Sequence, residues 1–292
     1  MRTRTLLLAL TASLPFTPAA SALSEYGIEG MGVVSTRADE IRATLAADGQ
    51  RIIWASNREG GAGGWDLWQA RLQDKRWTDP QPLALNSSAD ELDPFLSSDG
   101  HWLYFASNRK GGHGGLDLYR AAIAADGSLG APQNLGPTLN GRQDERSPTL
   151  ADDGRLLFAS NRDGGGGGWD LWQTRASGDG FTAVTELAEI NTPADEVDAS
   201  WLGGGRGVVL ARTNPQGGTQ LWLSQCRQGQ WDQPSLLELS FNSADSDTRG
   251  ALIDANKPAE LVVSGTARAP RAGGMDLYRM KAPVVDGDDS CR

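Results

Sequence analysis

One short series of residues recurs along this chain at intervals of roughly 50 residues, a spacing that points to propellers and repeat arrays. Trp54-Ala55-Ser56-Asn57-Arg58 leads to Gly63-Gly64-Trp65-Asp66-Leu67-Trp68. Phe105-Ala106-Ser107-Asn108-Arg109 leads to Gly114-Gly115-Leu116-Asp117-Leu118-Tyr119, and Phe158-Ala159-Ser160-Asn161-Arg162 to Gly167-Gly168-Trp169-Asp170-Leu171-Trp172. Two worn copies follow, with Ala211-Arg212-Thr213 before Gly217-Gly218-Thr219-Gln220-Leu221-Trp222 and Ser264-Gly265-Thr266 before Gly273-Gly274-Met275-Asp276-Leu277-Tyr278.

Each unit reads as four short strands. In the second, Pro94-Phe95-Leu96-Ser97 and Trp102 to Ala106 flank Asp99-Gly100, the turn dipeptide of tight hairpins. These are strands a and b. A Gly-rich loop then reverses the chain into strand c at Leu116 to Ala121, and strand d lies around Gln133-Asn134-Leu135. Helical periodicity is missing. Antiparallel meanders that cannot bury both faces alone pack radially, so the expected fold is all-β, a β-propeller of four-stranded antiparallel blades. Between strand d and the next strand a stand Asn86 to Asp90-Glu91, Asn140 to Asp144-Glu145, Asn191 to Asp195-Glu196 and Asn242 to Asp245. A further copy, Val33-Val34-Ser35 before Asp39-Glu40, looks like a strand d without its own blade, and the last unit lacks a strand d after Met280. Five blades are expected, the ring closed by the N-terminal strand.

Residues 1–22 read as a secretory signal, with Arg2 and Arg4 before an apolar core from Leu6 to Leu14 and a small-residue site at Ala20-Ser21-Ala22. The propeller is expected over 23–281 and a polar tail over 282–292. No segment is long and apolar enough to span a bilayer, so a periplasmic or secreted location is expected. The net charge is −10, two units more negative without Arg2 and Arg4. Nucleic acid is therefore excluded as a partner, and cationic partners, metal ions or neutral ligands are favoured. Cys226 and Cys291 would stand where disulfides persist. Spacing alone leaves open whether they pair, stapling the C-terminus, or remain separate thiols.

The series from Ser97-Ser98-Asp99-Gly100 through Ser107-Asn108-Arg109 to Asp117-Leu118-Tyr119 resembles the propeller repeat of the TolB-like family, a cousin of the WD repeat. The resemblance implies an envelope protein that binds other proteins. That family's propeller has six blades and follows a separate α/β domain, whereas five units are counted here.

In a meander the d-to-a and b-to-c connections share a face, which therefore carries Asp39, Asp90, Asp144, Asp195 and Asp245 together with Arg58, Arg109 and Arg162. Such a ring of carboxylates could hold a cation in the channel or receive a basic partner segment. The plainer reading has each Asp accepting hydrogen bonds from a neighbouring blade, because what every unit keeps serves the stacking of units. Glu40, Glu91, Glu145 and Glu196 are expected to face solvent. Asp66, Asp117, Asp170 and Asp276 are expected to tie the Gly-rich turns. Trp65 and Trp169, at the loop end of strand c, are the aromatic candidates for ligand contact.

No catalytic residue, metal ligand or cofactor is assigned. His101 and His113 fall on opposite faces, and no nucleophile stands beside a base. The expectation is a non-catalytic exported propeller binding an envelope protein through its loop-rich face. The alternative is a carbohydrate-active enzyme or glycan-binding propeller with an acidic central channel, which would need two carboxylates in different environments.

Overall fold

The computed structural model describes residues 33–178, 180–239, 241–266 and 272–292, and residues 25–26 by their backbone. The expected signal segment, 1–22, lies outside them. Every regular element among the described residues is a strand, and the strands form five small antiparallel sheets, the blades of a propeller.

In blade one, strands a to d are Glu40–Leu45, Arg51–Ser56, Asp66–Gln73 and Arg76–Pro82. Blade two has Glu91–Leu96, Trp102–Ser107, Asp117–Ala122 and Gln133–Asn134. Blade three has Glu145–Leu150, Arg155–Ser160, Asp170–Ser177 and Thr185–Glu186, and blade four Glu196–Leu202, Gly207–Thr213, Thr219–Arg227 and Ser235–Leu236. In blade five, Thr248–Asp254, Lys257–Gly265 and Asp276–Lys281 are completed by Glu25–Tyr26. Glu25 pairs with Met280 and Tyr26 with Arg279, so the N-terminal strand closes the ring, by residues upstream of the expected 30–35. Val34 instead fills the place of Leu85, Leu139 and Ile190, buried residues five before each Asp of the d-to-a connections.

Strand b is enclosed on both faces. Ile52 to Ala55, Leu103, Phe105, Ala106 and Leu156 to Ala159 are all fully buried, which is why these strands read as unbroken apolar runs. Strand a lines the channel and is kinked in every blade by a shift in its pairing with strand b. At the kink the backbone takes positive φ at Arg42 (44°), Asp93 (54°), Ser147 (56°) and Gly250 (66°). Three of these are not glycine, a conformation that L residues keep only when their surroundings hold it.

The tail is not loose. Cys226, in strand c of blade four, is disulfide-bonded to Cys291, with the Cα atoms 5.9 Å apart. The Asp288 N–H donates to Cys226 O (2.9 Å) and the Gly229 N–H to Ser290 Oγ (2.5 Å), so the last residues dock along the outside of blade four.

Candidate functional site: the channel and its two mouths

On the loop-rich face, the repeated residues form one circuit in each of blades one to four. In blade two, Glu91 Oε1 accepts from Ser87 Oγ (2.7 Å), Ser107 Oγ (2.9 Å) and Arg109 Nη2 (2.9 Å), while Oε2 accepts from the Ser87 N–H (2.7 Å). Arg109 also donates to Leu85 O (3.1 Å) and lies over the rings of Phe105 and Tyr119, 5.3 and 5.2 Å from their centroids. Asp90 receives the Trp65 N–H of blade one (2.9 Å), and its own N–H donates to Asn108 Oδ1 (2.8 Å). Blades one and three repeat this with Glu40, Arg58, Asp39 and Asn57, and with Glu145, Arg162, Asp144 and Asn161. The same bond crosses the closure, where the Met275 N–H of blade five donates to Asp39 (2.9 Å).

Two expectations are corrected here. Glu40, Glu91, Glu145 and Glu196 do not face solvent: all four have no exposed surface and each is paired with an arginine. Burial pushes Glu40, Glu145 and Glu196 above the ordinary glutamate range, against the pull of their hydrogen bonds and arginines. In blade four Arg212 stands two residues early, where blades one to three have Ser, yet still reaches Glu196 (2.6 Å). In blade five the residue equivalent to Asp39 and Asp90 is Asp247 rather than Asp245, because it directly precedes strand a; its N–H donates to Thr266 Oγ1 (2.9 Å).

The remaining candidates on this face are held internally. Arg58, Arg109 and Arg162 are the partners of buried glutamates, and Asp195 accepts the Trp169 N–H (3.0 Å). Trp65 and Trp169 are half-buried against the cores of their blades. Asp66, Asp117, Asp170 and Asp276 tie the glycine turns as expected, each accepting two consecutive loop N–H groups.

Behind this face the channel is plugged by side chains that the repeat does not share. Two residues after each strand-opening Glu stand Arg42, Asp93, Ser147 and Asp198, with Gly250 in blade five. Arg42, 1% exposed, reaches across the ring to pair with Asp198 and donates to Pro148 O (3.2 Å) and Ala199 O (3.4 Å). Arg146 grips Asp93 with two bonds, 2.8 and 3.2 Å, and Asp93 also accepts from the Ser147 N–H (3.2 Å) and Oγ (3.1 Å). Burial would raise Asp93, but Arg146, Arg42 and the Ser147 hydroxyl outweigh it and hold its carboxyl below the usual range. Burial and the nearby Asp93 push Asp198 up in spite of Arg42. These residues are not apparent as a repeat because they differ between blades, although Arg42, Asp93, Ser147 and Asp198 all stand two positions after a strand-opening Glu.

The channel opens on the opposite face, among the a-to-b turns. A cavity of about 350 Å³ lies there, walled by Thr44, Phe95, Thr149, Trp201, Ile253 and the glycines 203–205. Thr149, 1% exposed, has no hydrogen-bond partner for its hydroxyl. A second hollow, between the turns of blades two and three, shares Ser98, Leu150, Ala151 and Asp152 with it and extends to Asp99.

No protein-family profile matches this sequence, and no characterised protein matches it by sequence. Solved structures do match its shape. The α-L-arabinofuranosidase PaAbf62A from Podospora anserina is 12% identical with a TM-score of 0.52, over 91% of this chain and 96% of that one. The catalytic domain of a GH62 α-L-arabinofuranosidase from Coprinopsis cinerea is 11% identical with the same TM-score, over 90% and 96%. TolB from Acinetobacter baumannii is 13% identical with a TM-score of 0.49, over 84% of this chain, which spans 55% of that TolB's length. At these identities the fold is what is shared. The expectation that this chain is not an enzyme is nevertheless overturned: a propeller matching almost its whole length is itself a catalytic domain, and the absence of a Ser-His or metal motif does not exclude that chemistry.

Proposed function

We propose that this protein is an exported propeller that takes an extended peptide segment of a partner protein at the channel mouth among the a-to-b turns. The observation that carries this reading is the cavity and its adjoining hollow, apolar at the base and acidic at the rim, in the part of the molecule where the repeat is not kept. An aliphatic or aromatic side chain fits a pocket walled by Phe95, Trp201 and Ile253, and a neighbouring cationic group fits Asp99 and Asp152. The Cys226–Cys291 bond supports an oxidising compartment. A photo-crosslinking residue at Ser98 should capture the partner in cells, and Asp99→Lys with Asp152→Lys should abolish capture. Capture from Asn108, on the other face, and none from Ser98 would refute the site.

A second reading, turnover of a glycan, is favoured by one observation. Asp93 and Asp198 share a channel and are shifted in opposite directions, the condition for one carboxyl acting as acid and another as base. Arg42 is paired with Asp198 and Arg146 with Asp93, so substrate would have to displace both side chains. Incubation with arabinan and xylan fragments decides it: turnover that disappears in a folded Asp198→Asn variant would establish the enzyme.

A further inference from the structure

The last residues of the chain hold two walls of the cavity, and they are themselves held by the disulfide. Arg155, 3% exposed, lies between tail and cavity. It donates to Cys291 O (3.3 Å), to Gly205 O (3.0 Å) and to Asp153 Oδ2 (2.8 Å), and its guanidinium lies 4.4 Å from the ring centroid of Trp201. Arg292 donates to Gly204 O and approaches Asp289 (3.2 Å) and Asp153 (4.0 Å). Val285 packs so closely on Gly203 that a Cβ there would stand 3.0 Å from it. The tail therefore touches the turns of blades three and four together.

The blade-four turn also carries a run of three glycines that the other a-to-b turns lack. Gly203, Gly204 and Gly205 have φ of 55°, 68° and 91°, a run that only glycine adopts without strain, and all three line the cavity. Blades one to three turn with a single Asp-Gly instead. Three successive glycines have little stiffness of their own, so the shape of this wall depends on what braces it from outside.

We infer that the Cys226–Cys291 disulfide is a redox latch on the channel mouth. Closed, it keeps the tail against Gly203–Gly205 and Arg155 and so fixes the pocket in its receptive shape; opened, it frees that wall. Cys226 is fully buried and Cys291 half-buried, so the thiolate of a dithiol reductant attacks the Cys291 sulfur. The S–S bond breaks and Cys226 leaves, taking a proton. The second thiol of the reductant then displaces Cys291, so one protein disulfide and one dithiol become two protein thiols and one cyclic disulfide. The link to binding rests on the peptide-binding reading above; the link between disulfide and wall does not.

Hydrogen exchange on the full chain, oxidised and after dithiothreitol, tests the latch, with Cys291→Ser as a second route to the open state and alkylation mass confirming the thiols. The amides of Gly205, Arg206 and Asp288, which donate to Leu202 O, Leu202 O and Cys226 O, should exchange about tenfold faster or more, with the amides of blades one and two unchanged. Unchanged protection at Gly205 and Arg206 in a chain shown to be reduced would overturn the latch. Capture of the partner from Ser98 should fall several-fold on reduction. Faster exchange with undiminished capture would overturn the coupling to binding, whereas no capture in either state would overturn the peptide-binding reading and leave the exchange result to decide the latch.

Discussion

The two faces of this propeller use their side chains in opposite ways. On the loop-rich face the Glu–Arg pair recurs in blades one to four with the carboxylate buried, as with Glu91 on Arg109, and the Asp before strand a recurs beside it, as with Asp90 on the Trp65 N–H. On the a-to-b face the blades differ, with Asp-Gly turns in three of them and the glycine run 203–205 in a fourth, and the cavity lies there. Recurrence marks what holds neighbouring blades together, a need common to all five. Departure from it marks what only one place in the ring requires.

The sharpest way to break that comparison is Glu91→Ala. It leaves the half-enclosed Arg109 guanidinium without its carboxylate and three further donors without an acceptor, a loss of about 3 to 5 kcal/mol. Urea unfolding measures it. A loss below about 1 kcal/mol would show that the loop-face charges are not structural.

A smaller effect separates the true repeat from its look-alike. Asp247→Ala removes the acceptor of Thr219 Oγ1 and of Arg249 and should cost about 1 to 3 kcal/mol. Asp245→Ala, at an exposed carboxylate bonded to Ser243, should stay within about 0.5 kcal/mol. Equal losses would mean that the fifth junction is not built like the others.

The smallest effect is in the pH dependence. The folded state raises Glu40, Glu145 and Glu196 above their unfolded values, so it binds more protons than the unfolded chain between the two. Stability from these groups is full below the unfolded value and declines as pH rises through the folded one. Asp93 runs the other way, its contribution present above the unfolded value and lost as pH falls through the folded one. Glu145→Gln should flatten part of the decline with rising pH and leave in place the acid limb, to which Asp93, Asp99, Asp126 and Asp288 all contribute. An unaltered slope above the ordinary glutamate range would contradict the direction given for Glu145.

Strand order, blade number and closure were readable because they rest on period and on local turn chemistry. Asp-Gly dipeptides, paired glycines and the Asp-Glu step each fix a backbone event within a few residues. The closing strand was placed several residues late because Val33-Val34 is apolar for another reason, filling a shared core position. The buried glutamates were misread because four charged residues beside exposed-looking loops resemble a solvated rim. Only the third dimension shows that Ser87, Ser107 and Arg109 converge on one carboxylate. Nor does spacing show that Arg42 pairs with Asp198 and Arg146 with Asp93, since the partners in each pair come from different blades.

The closing strand sets the timetable of folding. Glu25 and Tyr26 pair with Arg279 and Met280, so contacts almost a whole chain length apart are the ones that shut the ring. While the chain is being made, blade five cannot exist, and each finished blade waits beside an unfinished neighbour. Until then the molecule is an open fan whose final strand edge has no occupant, and a second copy of Glu25–Tyr26 from another chain would fit that edge as well as its own. Crowding of nascent chains, rather than any flaw in the finished fold, is where exchange of this strand between copies would begin.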